Sequence, residues 1–178
     1  MRAGFAFLLA LLLAAHAHCQ QSGNSFALTG TAGKQYADSC YSAAMKYFYR
    51  SNFDTAVYYL NKGVAAAEVA GDAHFIINYY LSLGNTYTLN NYPAKALWWL
   101  QKTNSKISKL TPYELQQKHL LLQGMAYERM QKTDSALHYY RLCEAFNTKY
   151  DPYNNWRVYD LMGLLFQKAD MYAEAEKY

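Results

Sequence analysis

Proline, cysteine and charge are all scarce in this chain. Only three prolines occur in 178 residues, so long stretches are free of the residue that breaks a helix interior. No segment alternates apolar and polar residues for long enough to make a half-buried strand. Charged residues make up 17%, the formal charge is +4, and lysines and arginines never run three together. That excludes the clustered basic face of a nucleic-acid partner. Chemistry-bearing patterns are missing as well. Beyond Cys19 the cysteines are Cys40 and Cys143, at no metal or redox spacing, and both are expected as buried thiols on helices. His74, His119 and His138 fall on separate helices with no carboxylate at ligand spacing and read as surface or packing residues. The glycines never form a phosphate-cradling loop after a strand. The sequence therefore predicts no catalytic residue, no cofactor and no metal ligand, and a chain that is not an enzyme.

The N-terminus has the marks of an export address. Arg2 is followed by the wholly apolar run Phe5 to Ala15, then by Ala15-His16-Ala17, a small-x-small cleavage pattern. Eleven residues are too few to cross a bilayer, which takes about 20. Residues 1–19 thus read as a cleaved signal peptide, with the protein periplasmic or membrane-anchored facing the periplasm. Lipidation of Cys19 is the less favoured alternative, because His18 and His16 stand where a lipid-acceptor pattern asks for small and aliphatic residues. The metal-like string His16-Ala17-His18-Cys19 lies in the same segment. Residues 20–34, rich in Ser, Gly, Thr and Asn, predict a flexible leader.

What is abundant is apolar and aromatic: 52% hydrophobic residues and nineteen tyrosines. Tyrosine pairs a ring that packs with a hydroxyl that seeks a partner, which suits thin helical layers. These residues recur. Tyr80-x-x-Leu83-Gly84-x-x-Tyr87 reappears forty residues on as Leu120-x-x-Gln123-Gly124-x-x-Tyr127, and thirty-nine later as Tyr159-x-x-Met162-Gly163-x-x-Phe166; forty residues earlier stands Cys40-x-x-Ala43-Ala44-x-x-Tyr47. Twelve residues after each small residue comes an alanine: Ala56, Ala96, Ala136 and Ala175. Small residues at fixed spacing let two helices of a hairpin approach closely. The large ring three residues past the small one lies on the same face. Helices are predicted near 35–50, 54–70, 73–90, 93–109, 112–131, 134–148, 153–168 and from 171. Asn52, Gly71-Asp72, Thr133-Asp134, Asp151-Pro152 and the capping box Thr111-Pro112-Tyr113-Glu114 punctuate them. A further ladder, Tyr59, Trp99 and Tyr139 beside Tyr58, Trp98 and His138, reads as packing between successive units.

In combination these columns resemble the tetratricopeptide repeat, although a period of 39 or 40 exceeds that family's usual length of about 34. The resemblance implies an all-α, right-handed α-solenoid of antiparallel helix pairs over 35–178, with units at 37–72, 77–111, 117–150 and a truncated 156–178. It also implies a protein-binding module whose concave face is lined by the first helix of each unit. That face is expected to carry Tyr41, Met45 and Phe48, then Asn78, Leu81 and Asn85, then Lys118, Leu121, Met125 and Arg129, then Arg157, Asp160 and Leu164. The carboxylate-holding pattern of the family's chaperone-binding subgroup is incomplete here, since Tyr41 and Met45 stand where a lysine and an asparagine belong. The partner class is a protein or peptide, with self-association as a further outcome. The fourth unit lacks the large residue due four places after Ala175, so the array is expected to continue past Tyr178. The alternative reading follows from that: the exported sensor region of a bacterial membrane histidine kinase or transcriptional regulator, anchored by a downstream segment.

Overall fold

The structure, a computed structural model, describes residues 30–108, 111–169 and 171–177. The signal peptide, Cys19 and most of the expected leader lie outside the described residues. Those described form an all-α chain: α1 (Gly30–Phe48), α2 (Phe53–Ala70), α3 (Ala73–Leu89), α4 (Pro93–Asn104), α5 (Tyr113–Arg129), α6 (Thr133–Tyr150), a 3-10 turn (Pro152–Asn155), α7 (Trp156–Lys168) and the short α8 (Tyr172–Ala175). Each helix packs on the next, and α3 also packs on α5. None of them is long and apolar enough to cross a membrane.

The pairing within each hairpin is set by the repeat. Ser51, Asn91 and Gln131 take left-handed backbone angles, with φ of 57°, 60° and 59°. The next amide donates back to the carbonyl five residues earlier: Asn52 to Tyr47 (3.0 Å), Tyr92 to Tyr87 (2.8 Å) and Lys132 to Tyr127 (3.0 Å). Met171 repeats the bond to Phe166 (2.9 Å). This Schellman closure satisfies carbonyls that a helix end leaves bare. The column Tyr47, Tyr87, Tyr127 and Phe166 thus ends the first helix of each unit as well as packing it.

Small residues make room for large ones, not for each other. A Cβ on Gly84 would sit 2.7 Å from Leu100 Cδ2, and one on Gly124 would overlap the ring of Tyr140. The second-helix residue four places past the alanine therefore inserts into the first helix, as a knob fills a hole. Leu60, Leu100 and Tyr140 are all fully buried. The aromatic ladder makes ring contacts inside the units, where Tyr47 stacks on Tyr59 (5.5 Å), Tyr127 on Tyr139 (5.3 Å) and Trp99 leans on Tyr80 (5.4 Å), and Tyr59 and Trp99 also join the apolar cluster that spans the first two units.

Several boundaries differ from the sequence prediction. α1 begins at Gly30, inside the expected leader, because Gly33 and Ala37 are buried and Lys34 pairs with Asp72 at 3.2 Å. Asp72 also caps α3 by accepting from Phe75 N (3.1 Å); that bond and Lys34 hold its carboxyl below the usual range. Asn52 caps α2 through Thr55 N (3.2 Å). The capping box at Thr111 does not form: its hydroxyl accepts from Ser108 N (2.9 Å) and Pro112 precedes α5 with no side-chain cap. Thr133 opens α6 instead of capping it. α4 stops at Asn104, short of the predicted 109. Cys40 and Cys143 are buried as predicted, and burial pushes the Cys143 thiol up to about 11.

Candidate binding groove

Asp38, Asn78, Lys118 and Arg157 occupy one position of the repeat, each on the first helix of its unit. Acid, amide, base and base follow one another, so the face grows more basic from α1 to α7. Around the two bases the helices leave a cavity of about 310 Å³. α3 contributes Asn85, α5 contributes Glu114, Gln117, Lys118, Leu121 and Leu122, the 3-10 turn contributes Asn154, and α7 contributes Trp156, Arg157 and Val158. Of the residues expected on the concave face, Asn85, Lys118, Leu121 and Arg157 are brought together here.

The electrostatics of this cavity are unbalanced. Lys118 is half-buried, and its pKa is held below the usual lysine value first by desolvation and then by the charge of Arg157. Among the described residues the ion pairs are Lys34–Asp72 and Lys168–Glu128. Neither Lys118 nor Arg157 therefore has a carboxylate of the described residues at ion-pair distance. Glu114, one helical turn before Lys118, lines the same space. Trp156 stands at the rim, 66% exposed.

The remaining expected residues are engaged otherwise. The Tyr41 hydroxyl bonds with Ser82 Oγ (3.1 Å) and its ring meets Tyr79 edge-on at 5.4 Å, so this side chain locks α1 to α3. Met45 and Met125 pack against core clusters, and Phe48 meets Phe53 at 5.8 Å. Asn78 donates to the His74 carbonyl (3.1 Å). Leu81 is fully buried, a correction to its expected place on the groove, because α3 is covered by α2, α4 and α5 together. Asp160 and Leu164 are exposed on α7. Arg129 lines a second cavity of about 570 Å³ near the hairpin turns, with Glu128, Gln131 and Lys168. There Glu128 is already held by the Tyr140 hydroxyl (2.8 Å) and by Lys168.

Sequence reasoning missed Gln117, Trp156 and Glu114. The column Ala37, Ile77, Gln117, Trp156 lies one residue before the basic column, and that adjacency was the available signal. His119, expected at a surface or in packing, is buried on α5; its Nε2 donates to Asn104 Oδ1 (2.7 Å) and its Nδ1 has no partner among the described residues. Burial lowers its pKa to about 4. No three His, Cys, Asp or Glu side chains among the described residues come together as a metal site. No protein-family model matches the chain, and neither does any curated protein, so the tetratricopeptide resemblance rests on the residue columns themselves.

Proposed function

We propose that this chain is an exported interaction scaffold: a tetratricopeptide-like, right-handed solenoid that grips an extended segment of a partner protein along the face of α1, α3, α5 and α7. The observation that supports this reading best is the meeting of Asn85, Lys118 and Arg157, from three different first helices, around one cavity. A repeat that turned these positions apart would offer isolated surface residues. Here they frame a continuous site with polar walls and an apolar floor of Leu121, Leu122 and Val158, the mixture that a peptide groove requires.

Selection of random displayed peptides tests the proposal. Peptides that bind the native chain should lose binding to Asn85→Trp, which fills the cavity from α3. Selected peptides that bind both proteins equally, or a selection that yields no peptide, would remove the groove as the binding surface. Export is tested separately: made with its own leader in a Gram-negative host, the protein should reach the periplasm shortened by about 17 to 19 residues. An intact Met1 on a cytoplasmic product would contradict export, and a lipid mass on Cys19 would replace simple cleavage with anchoring.

A further inference from the structure

We propose that the cavity between α3, α5 and α7 holds a single carboxylate, the side chain of an aspartate or glutamate within an extended partner segment, with Lys118 and Arg157 as its counter-ions. This rests on the groove reading and names the chemistry that the groove selects.

Two observations carry it. The first is an uncompensated pair of cations. Lys118 and Arg157 come close enough for one charge to act on the other, and no carboxylate of the described residues reaches either at ion-pair distance. Part of the lysine is withdrawn from water, a cost that an anion can recover. The second is the lining. Lys118, Arg157 and Glu114 sum to one positive charge, which matches a carboxylate better than a phosphate dianion. Leu121, Leu122 and Val158 supply an apolar floor and Trp156 a ring at the rim. Such surroundings strengthen a charge-assisted bond by excluding water. Asn78 on α3 holds the same repeat position as Lys118 and Arg157, and Asp160 lies exposed one helical turn past Arg157 on α7. An extended segment that reached toward both would meet the cations with a side chain and not with a chain end.

The charge logic also predicts how selectivity can be changed. Glu114 subtracts one charge from the lining. Its replacement by glutamine leaves two cations, which should strengthen carboxylate binding and admit phosphate.

The test uses the full chain, two small probes and three blocked peptides. The probes are 3-phenylpropionate and its neutral amide, followed by the indole resonance of Trp156. The carboxylate should shift that resonance saturably in the millimolar range and the amide about tenfold more weakly. Among end-blocked pentapeptides with a central glutamate, glutamine or phosphoserine, glutamate should bind best. Lys118→Met, which keeps the aliphatic stem, and Arg157→Gln should each weaken the glutamate peptide about tenfold, with circular dichroism verifying the fold. In Glu114→Gln the response to inorganic phosphate should rise. Carboxylate and amide responses that coincide, native-like affinity in both cation variants, or no saturable response to 3-phenylpropionate would each overturn the proposal. So would tighter binding of the phosphoserine peptide, or of an uncharged peptide with a free C-terminus. Displayed peptides that need the groove but carry no acid would keep the scaffold reading and remove this inference alone.

Discussion

Two junctions between units place different side chains at one position of the repeat. Tyr79 on α3 and His119 on α5 are forty residues apart, and the second helices before them carry Gly63 and Thr103 at the matching place. At the first junction Tyr79 is fully buried, its ring runs over Gly63, and its hydroxyl donates to the Ala37 carbonyl at 2.5 Å. One aromatic side chain thereby ties α1, α2 and α3 together with its polar atom satisfied. At the second junction His119 ties α5 to the end of α4 through Asn104 but leaves Nδ1 buried with no partner among the described residues. The third junction carries Cys143 and Val158, both in one apolar cluster. Size is traded across each boundary, a large ring against no side chain and smaller groups against larger ones. Repeats tolerate this because each interface is a nearest-neighbour contact that can adjust by itself.

The largest effect is expected at the first junction. A Cβ at Gly63 would lie 2.7 Å from Tyr79 Cε1 and nearer still to its hydroxyl. The ring is walled in and hydrogen-bonded, so it cannot move cheaply. Gly63→Ala should cost about 3 kcal/mol in thermal or urea unfolding. Combining it with Tyr79→His, which imports the ring of the second junction, should recover part of that loss as a non-additive coupling. Additive losses would mean that the two residues do not share the contact. Gly124→Leu, at the hairpin contact with Tyr140, should cost about 2 kcal/mol, and an unchanged midpoint would exclude that contact.

The second junction should lose stability between pH 7 and pH 5, where the first, with its Asp72 carboxyl held below the usual range, should not. His119 has a folded pKa of about 4, below its ordinary 6.5, so the unfolded chain binds the proton more readily. Its contribution is fully present above the unfolded value and is lost as pH falls from about 6.5 toward 4. Between pH 7 and pH 5 stability should drop by about 2 kcal/mol, and His119→Gln should flatten that dependence. A slope unchanged by the substitution would assign it to other groups. Tyr79, whose pKa is raised by burial, contributes nothing in this range. The smallest effect is a gain. Gln131 pays for a left-handed backbone without being glycine, so Gln131→Gly should raise stability by about 0.5 to 1 kcal/mol. A lower midpoint would mean that the glutamine side chain makes up for its backbone.

What could be read from the sequence was whatever depends on neighbours within one unit. The buried small residues of the first three units (Ala44, Gly84 and Gly124 with Ala56, Ala96 and Ala136), the cap at Asn52, the break at Gly71-Asp72 and the burial of both cysteines are local or periodic properties, and they stand in the structure. Gly63 was invisible because its role is set by Tyr79 from the next unit. The Thr111 capping box failed because the hydroxyl found the Ser108 amide first. Around the cavity, the meeting of Asn85, Lys118 and Arg157 follows from stepping along the repeat. The places of Tyr41 and Leu81 do not, since they depend on how closely α1 meets α3 and how completely α3 is covered. Trp156 was missed because its column, Ala37, Ile77, Gln117 and Trp156, repeats no one chemistry that would mark it, although it stands one residue before the basic column.

The most direct test of the central claim, that forty-residue steps assemble a partner groove on the first helices, is resonance mapping of a selected peptide on the labelled chain. The groove account predicts shifts at Asn85, Lys118, Leu121, Trp156 and Arg157, with Tyr58 and Trp98 on the second helices unmoved although both rings are about half exposed. Shifts confined to Tyr58, Trp98 and His138 would contradict it.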